Sequence, residues 1–290
     1  MTTTPLAIEV AVMRCPDCYG SWDEAGRCAC GRVFEPEDGV WNLLPATMDT
    51  EKLNENSVFV EGGKDLEKFR ERPWGAVTRN AWVSRFEDEV APLFEPGRFL
   101  ELGGESCYAS AIMKSLHPES TVYANSVRNV AIPVSRQFPR PPDYFCAIDA
   151  EHLPFQDDTF DGIWAHLMMH HLPHPASMLS EVMRVLKPGG RFVCFEPAVP
   201  RHLRVLFTAE AIHRSSSYGI REDLLSWQEW AAVARTAKMP ESALKCYRNP
   251  AWQHRLAFRL AGEVVRLLPE PVAISLFPVG LMFDYRKPVA

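Results

Sequence analysis

Two groups of residues in this chain have the types and spacing for chemistry. The first is near the start. Cys15 and Cys18 form a C-x-x-C pair, and Cys28 and Cys30 a C-x-C pair after nine intervening residues. Four thiolates around a hairpin-sized loop suit a closed, tetrahedral, structural zinc site with no coordination position left for a substrate. Gly20, Gly26 and Gly31 allow the tight turns that point sulfurs inward. Four unrelated thiols, or a redox pair at Cys15 and Cys18, is the competing reading. The second group comprises Asp149, Glu151, His152, His166, His170, His171, His174 and Glu196. Imidazole is the natural general base near neutral pH. His166, His170, His171 and Glu196 are therefore the candidate catalytic groups. Packing of His170-His171 onto a sheet, and a capping or rim role for Glu196, are the plainer alternatives.

The elements that must position the second group follow from the apolar pattern. Tyr144 to Ile148 is an apolar run ending at Asp149, Phe160 to Ala165 ends at His166, and Arg191 to Phe195 ends at Glu196-Pro197. Before the last run, Met178, Leu179, Val182, Met183, Val185 and Leu186 recur at helical spacing. Lys187-Pro188-Gly189-Gly190 then reads as a helix C-terminus with breakers after it. Strand, strand, helix, strand predicts an open α/β sheet, in which ligands gather beyond the carboxyl ends of the strands. Further strands are predicted at 98–102, 121–125, near 242–247 and at 272–285, where Pro278 forces a bend or an edge position. Helices are predicted within 64–94, 201–217 and 252–268, and after the capping box Ser226-Trp227-Gln228-Glu229. Pro133, Pro139, Pro141 and Pro142 leave room for at most one short helix after Asn125.

Three motifs, D-A-E-x-L-P-F-x-D-x-x-F-D from Asp149, H-H-L at His170 and R-V-L-K-P-G-G-R from Arg184, resemble the class I S-adenosylmethionine-dependent methyltransferases. The resemblance implies a Rossmann-like, seven-stranded α/β sheet. It also implies a cofactor site at the ends of the first three strands. Asp149, with Ala150 and Glu151, matches the family's adenine edge, and His166 would face the methyl group or its acceptor. The family's first loop reads E-x-G-x-G-x-G; here the positions are Glu101, Gly103, Glu105 and Cys107, with Gly104 at a variable place. The acidic residue that holds the ribose hydroxyls is replaced by Asn125, which still accepts hydrogen bonds but without the charge. Glu105 brings a carboxylate where the family has glycine. Residues 14–44 are similar to the zinc ribbon fused to some methyltransferases, including an rRNA guanine methyltransferase whose V-x-N-L-L-P exit matches Val40 to Pro45.

The expected organisation is a zinc ribbon over residues 1–45, a linker over 46–63 and a methyltransferase-like domain over 64–290, in which 198–250 covers the substrate. With 47 % hydrophobic residues the 290-residue chain can fill a core. No apolar run reaches the ~18 residues of a membrane span, and no basic segment precedes a long apolar core near the N-terminus, so a cytoplasmic location is expected. Residues 1–55 carry four basic and ten acidic side chains, a net charge of −6 that equals that of the whole chain. An acidic ribbon is poorly suited to a phosphate backbone. The expected activity is methyl transfer from S-adenosylmethionine to an O, N or C nucleophile of a small molecule of specialised metabolism. RNA or protein as acceptor, a different reaction on the same fold, and a non-catalytic partner role are the alternatives.

Overall fold

A computed structural model describes residues 10–34, 36, 37, 39–48, 85–104, 107–125, 139–204, 223–247, 265 and 267–289. Most of the expected 46–63 linker, the helical pattern over 64–84, Glu105, the segment after Asn125, and the bulk of the helices expected at 201–217 and 252–268 lie outside the described residues.

Among the described residues, nine strands form one sheet. They are β1 (Pro36–Glu37), β2 (Val40–Asn42), β3 (Arg98–Leu102), β4 (Thr121–Asn125), β5 (Tyr144–Ala147), β6 (Phe160–His166), β7 (Leu186–Ala198), β8 (Leu244–Tyr247) and β9 (Val279–Arg286), in the order β1-β2-β5-β4-β3-β6-β7-β9-β8. The last seven strands are the expected α/β sheet. β5, β4, β3, β6 and β7 run parallel, while β9 is antiparallel to both β7 and β8. The chain enters at β3, moves outward to β5, then returns to place β6 on the other side of β3. This reversal opens a crevice between the ends of β3 and β6, where such sheets take their ligands.

Both faces of the central strands are apolar because both are covered. On one face Leu100, Leu102, Ile163 and Phe192 pack against α2 (Pro175–Val185) and α3 (Trp227–Thr236). On the other, Phe99, Val122, Trp164 and Phe195 meet α1 (Tyr108–Leu116) and the irregular turns of Phe86–Leu93. The capping box is present: Ser226 Oγ accepts from the Glu229 N–H, and Glu229 Oε2 accepts from the Ser226 N–H at 2.8 Å. Trp230 from the same helix is fully buried and donates its indole N–H to Pro197 O at 2.8 Å.

Three expectations need correction. Lys187–Gly190 does not end a helix. α2 stops at Val185, and these residues bulge out of β7, whose register with β6 jumps from Phe160↔Leu186 to Gly162↔Arg191. Gly190 fits because a Cβ there would lie 2.9 Å from Lys187 O and 3.0 Å from Phe160 O. Residues 272–276 are helical, in α4 (Glu270–Leu276), and the strand begins only after Pro278. The third correction concerns the sheet's edge. The ribbon's exit segment is a strand, β2, which pairs in parallel with β5 and extends the sheet beyond seven strands.

Candidate active site

The first cleft residues come from β3 and its loop. Gly103 has φ +67°, and a Cβ there would sit 2.8 Å from Met168 Cβ, so only glycine lets this loop pass the end of β6. The Gly104 N–H donates to Asn125 O at 3.0 Å, tying the loop to β4. Glu101 is fully buried and accepts from the Ser110 N–H at 2.7 Å, anchoring the first turn of α1. Burial pushes its carboxyl up to about 7, against the lowering pull of Ser110. Its carboxylate therefore holds the start of α1, a role the sequence reading did not give it. Cys107, at the third glycine position of the family pattern, has φ +51°, so the glycine conformation persists under a buried side chain.

At the end of β4, Asn125 is fully buried. Its Nδ2 donates to Ile148 O at 3.3 Å, and its Oδ1 has no hydrogen-bond partner among the described residues. A buried acceptor without a donor is costly, of order 1–3 kcal/mol. Beyond β5, Asp149 is buried; Oδ1 accepts from the Glu151 N–H at 2.9 Å and Oδ2 lies 3.2 Å from His152 Nδ1. Glu151 Oε1 accepts from the His174 N–H, and Ala150 is buried between the two acids. These residues follow β5, two strands from β3 in the sheet.

The histidines divide. His166 ends β6, and its ring stacks parallel to Trp164 with centroids 5.8 Å apart. Burial, outweighing the attraction of Glu196, pulls its imidazole down to about 4, so it is neutral at pH 7. His170 is bound instead to Glu196: Nδ1 lies 2.6 Å from Glu196 Oε2, with both side chains buried. The other Glu196 oxygen accepts from the Met168 and Met169 N–H groups at 2.9 and 2.7 Å. Burial alone would raise this carboxyl; the His170 charge and hydrogen bond, with the two N–H groups, hold it below the usual range. The pair thus fastens the turn that carries Met168 against Gly103. His171 lies beside His170, ring centroids 4.0 Å apart. Leu167, between these groups, has φ +49° and is partly exposed.

In the ribbon the sulfurs of Cys15, Cys18, Cys28 and Cys30 lie within 4.8 Å of one another, with Cys15–Cys30 at 3.6 Å and Cys18–Cys28 at 3.3 Å. A tetrahedron with metal–sulfur bonds of ~2.3 Å has edges of roughly 3.8 Å, so the quartet fits zinc. A Cβ on Gly20 would lie 3.3 Å from Cys18 Sγ, which explains a glycine there.

Residues 100–194 match the methyltransferase domain family. A 114-residue stretch is 32 % identical to the ubiquinone/menaquinone biosynthesis C-methyltransferase of Desulfotalea psychrophila, covering 38 % of this chain and 46 % of that protein. A 52-residue stretch is 48 % identical to the corresponding enzyme of Bartonella tribocorum, covering 18 % of this chain and 20 % of that protein. The chain therefore spans from a fifth to under a half of these relatives. Among solved structures, phosphoethanolamine N-methyltransferase 2 of Haemonchus contortus, in complex with S-adenosyl-L-methionine, superposes with a TM-score of 0.58 at 14 % identity. The alignment covers 84 % of this chain and 61 % of that one. This likeness is one of fold. Among the described residues no helix is long and apolar enough to cross a membrane.

Proposed function

We propose that this chain transfers a methyl group from S-adenosylmethionine to an O, N or C nucleophile of a small organic molecule, within specialised metabolism. One observation carries the reading: the buried, unsatisfied Asn125 Oδ1 at the end of β4, beside the Gly103–Gly104 turn. This is where a ribose hydroxyl would donate. Gly103 and Gly104 would let the backbone approach the methionine and ribose, and Asp149, Ala150 and Glu151 would border the adenine. The names of the curated relatives, C-methyltransferases of ubiquinone and menaquinone biosynthesis, support a small-molecule acceptor, as does the acidic ribbon.

The cofactor, when bound, supplies an electrophilic methyl group on a cationic sulfur. The chain's own contribution is orientation in a water-poor crevice. Glu196 fixes Met168 and His170, and His166 borders the crevice as a neutral ring. His166 is then the group placed to take a proton that an acceptor loses as the new bond forms, with His170, His171 and Glu196 as positioning residues. Its low basicity favours acceptors that shed the proton late or not at all. Cys15, Cys18, Cys28 and Cys30 would hold a structural zinc ion.

The test is calorimetric titration of zinc-loaded protein with S-adenosylmethionine and S-adenosylhomocysteine. Micromolar binding is expected. Asn125→Leu should weaken it about 10–100-fold, the loss of one or two ribose hydrogen bonds at ~1–1.5 kcal/mol each, while Asn125→Asp retains it. No binding at millimolar ligand refutes the assignment.

A further inference from the structure

We propose that the ribbon braces the adenine side of the cleft, so that metal binding at the cysteine quartet and nucleoside binding at Asp149–Glu151 are cooperative. The proposal rests on the functional reading above for both sites.

The argument begins with the segment 148–153, which carries Asp149, Ala150 and Glu151. Both of its ends are attached to the ribbon. At the near end, β2 pairs with β5 through Val40↔Phe145 to Asn42↔Ala147, and the Leu43 N–H donates to Ala147 O at 2.9 Å. At the far end, Met13 and Phe155 form a bridge, and both are fully buried in one core. The Arg14 N–H donates to Pro154 O at 3.0 Å, and the Gln156 N–H to Val12 O at 2.8 Å. Side chains repeat the link: Arg14 Nε donates to Gln156 Oε1 at 2.8 Å, Gln156 Nε2 donates to Met13 O at 3.2 Å, and Arg14 pairs with Asp157 at 3.2 Å.

The two attachment points are held relative to each other inside the ribbon. Met13 and Arg14 run directly into Cys15. β2 follows the second cysteine pair, and Arg32 joins the halves by bonding to Asp17 at 2.7 Å and to Leu44 O at 2.8 Å. Asp17 also accepts from the Ala46 N–H at 2.7 Å. A module of this size buries too little apolar surface to stay ordered alone, and a metal supplies the missing folding energy. Metal in the quartet therefore fixes the separation of the two anchors, and with it the shape of the loop strung between them. α2 shares the load, since Glu181 accepts from the Leu153 N–H at 2.9 Å and Arg184 donates to Leu153 O at 2.8 Å and Phe155 O at 2.7 Å. The coupling is accordingly moderate, about tenfold, within the usual range for linked sites.

Two measurements on the full chain test this, under reducing conditions, with metal content and circular dichroism recorded alongside. S-adenosylhomocysteine affinity is measured calorimetrically with zinc bound and after chelation. Zinc affinity is measured by competition with a chromophoric chelator, with and without S-adenosylhomocysteine. Linkage requires the two ratios to agree, each near ten. Equal nucleoside affinity with and without zinc overturns the proposal. If chelation abolishes the fold, the double variant Arg14→Ala/Gln156→Ala, with the quartet intact, takes over. It should keep one zinc equivalent and bind S-adenosylhomocysteine three- to tenfold more weakly; unchanged affinity overturns the proposal. A loaded chain that binds no S-adenosylhomocysteine overturns the cofactor reading, and a reduced chain that takes up no zinc overturns the metal reading. Either result removes the coupling as well.

Discussion

Replacing Glu196 by alanine should be among the most damaging single changes outside the apolar core. Its carboxylate accepts from the Met168 and Met169 N–H groups at 2.9 and 2.7 Å and faces His170 Nδ1 at 2.6 Å, all buried. Glu196→Ala strands two backbone donors and an imidazole. Breaking a buried pair in this way costs about 3–5 kcal/mol. Glu196→Gln keeps an oxygen for the two N–H groups and loses only the charge facing His170, so it should cost about 1–2 kcal/mol. In urea, with a slope of ~2–3 kcal/mol/M, the alanine variant should unfold at a midpoint roughly 1.5 M lower and the glutamine variant about 0.5 M lower, with unchanged slopes. An alanine variant within 1 kcal/mol of the parent would refute the fastening role. So would equal losses for the two variants, because the ionic part of the pair would then contribute nothing.

The loop and the titrating groups give further predictions. Gly103→Ala should cost at least ~2 kcal/mol, from a positive φ and a clash with Met168 Cβ at 2.8 Å, and should abolish S-adenosylhomocysteine binding by calorimetry. Cys107→Gly should change unfolding free energy by no more than about 1 kcal/mol, because relief at φ +51° offsets the lost buried sulfur, while Cys107→Val, branched at the same backbone, should lose more than ~2 kcal/mol. His166 titrates near 4 in the fold against 6.5 ordinarily, so the unfolded chain binds the proton first as pH falls. Its contribution is full above pH 6.5 and is lost towards pH 4, up to ~3 kcal/mol at 1.36 kcal/mol per unit; His166→Asn should flatten that limb in urea titrations. Glu101, raised from 4.5 to about 7, acts with the opposite sign: its contribution is full below pH 4.5 and is lost as pH rises through 7, and Glu101→Gln should remove that loss.

What the sequence disclosed was whatever is local and apolar. The runs ending at His166 and Glu196 became β6 and β7 because fully buried strands need continuous apolar residues, and the Ser226–Glu229 box carried its own cap. The errors came where local signals were overruled. Val272 and Ile274 favour a strand, yet Pro271 in the first helical turn, with Glu270, starts α4. Lys187–Gly190 carries every mark of a helix end, but Leu186 already pairs with Phe160. The bond between His170 and Glu196 was invisible for another reason. The residues lie 26 apart, and only the β6–β7 register, His166↔Phe195, brings them together. β2 was read as the ribbon's exit for the same reason, since nothing near Val40 announces a partner at Phe145.

That long-range pairing sets an order on the chain's biogenesis. β2 leaves the ribosome about a hundred residues before β5 exists, and closing so long a loop costs roughly 4 kcal/mol of chain entropy. At ~5–20 residues per second the ribbon waits from about five to twenty seconds for its partner strand. The cysteine quartet, complete by residue 30, is able to close in that interval, because its contacts span only fifteen residues. When β5 arrives it meets a strand already set in place, and its outer edge is covered as it forms instead of standing open to neighbouring chains.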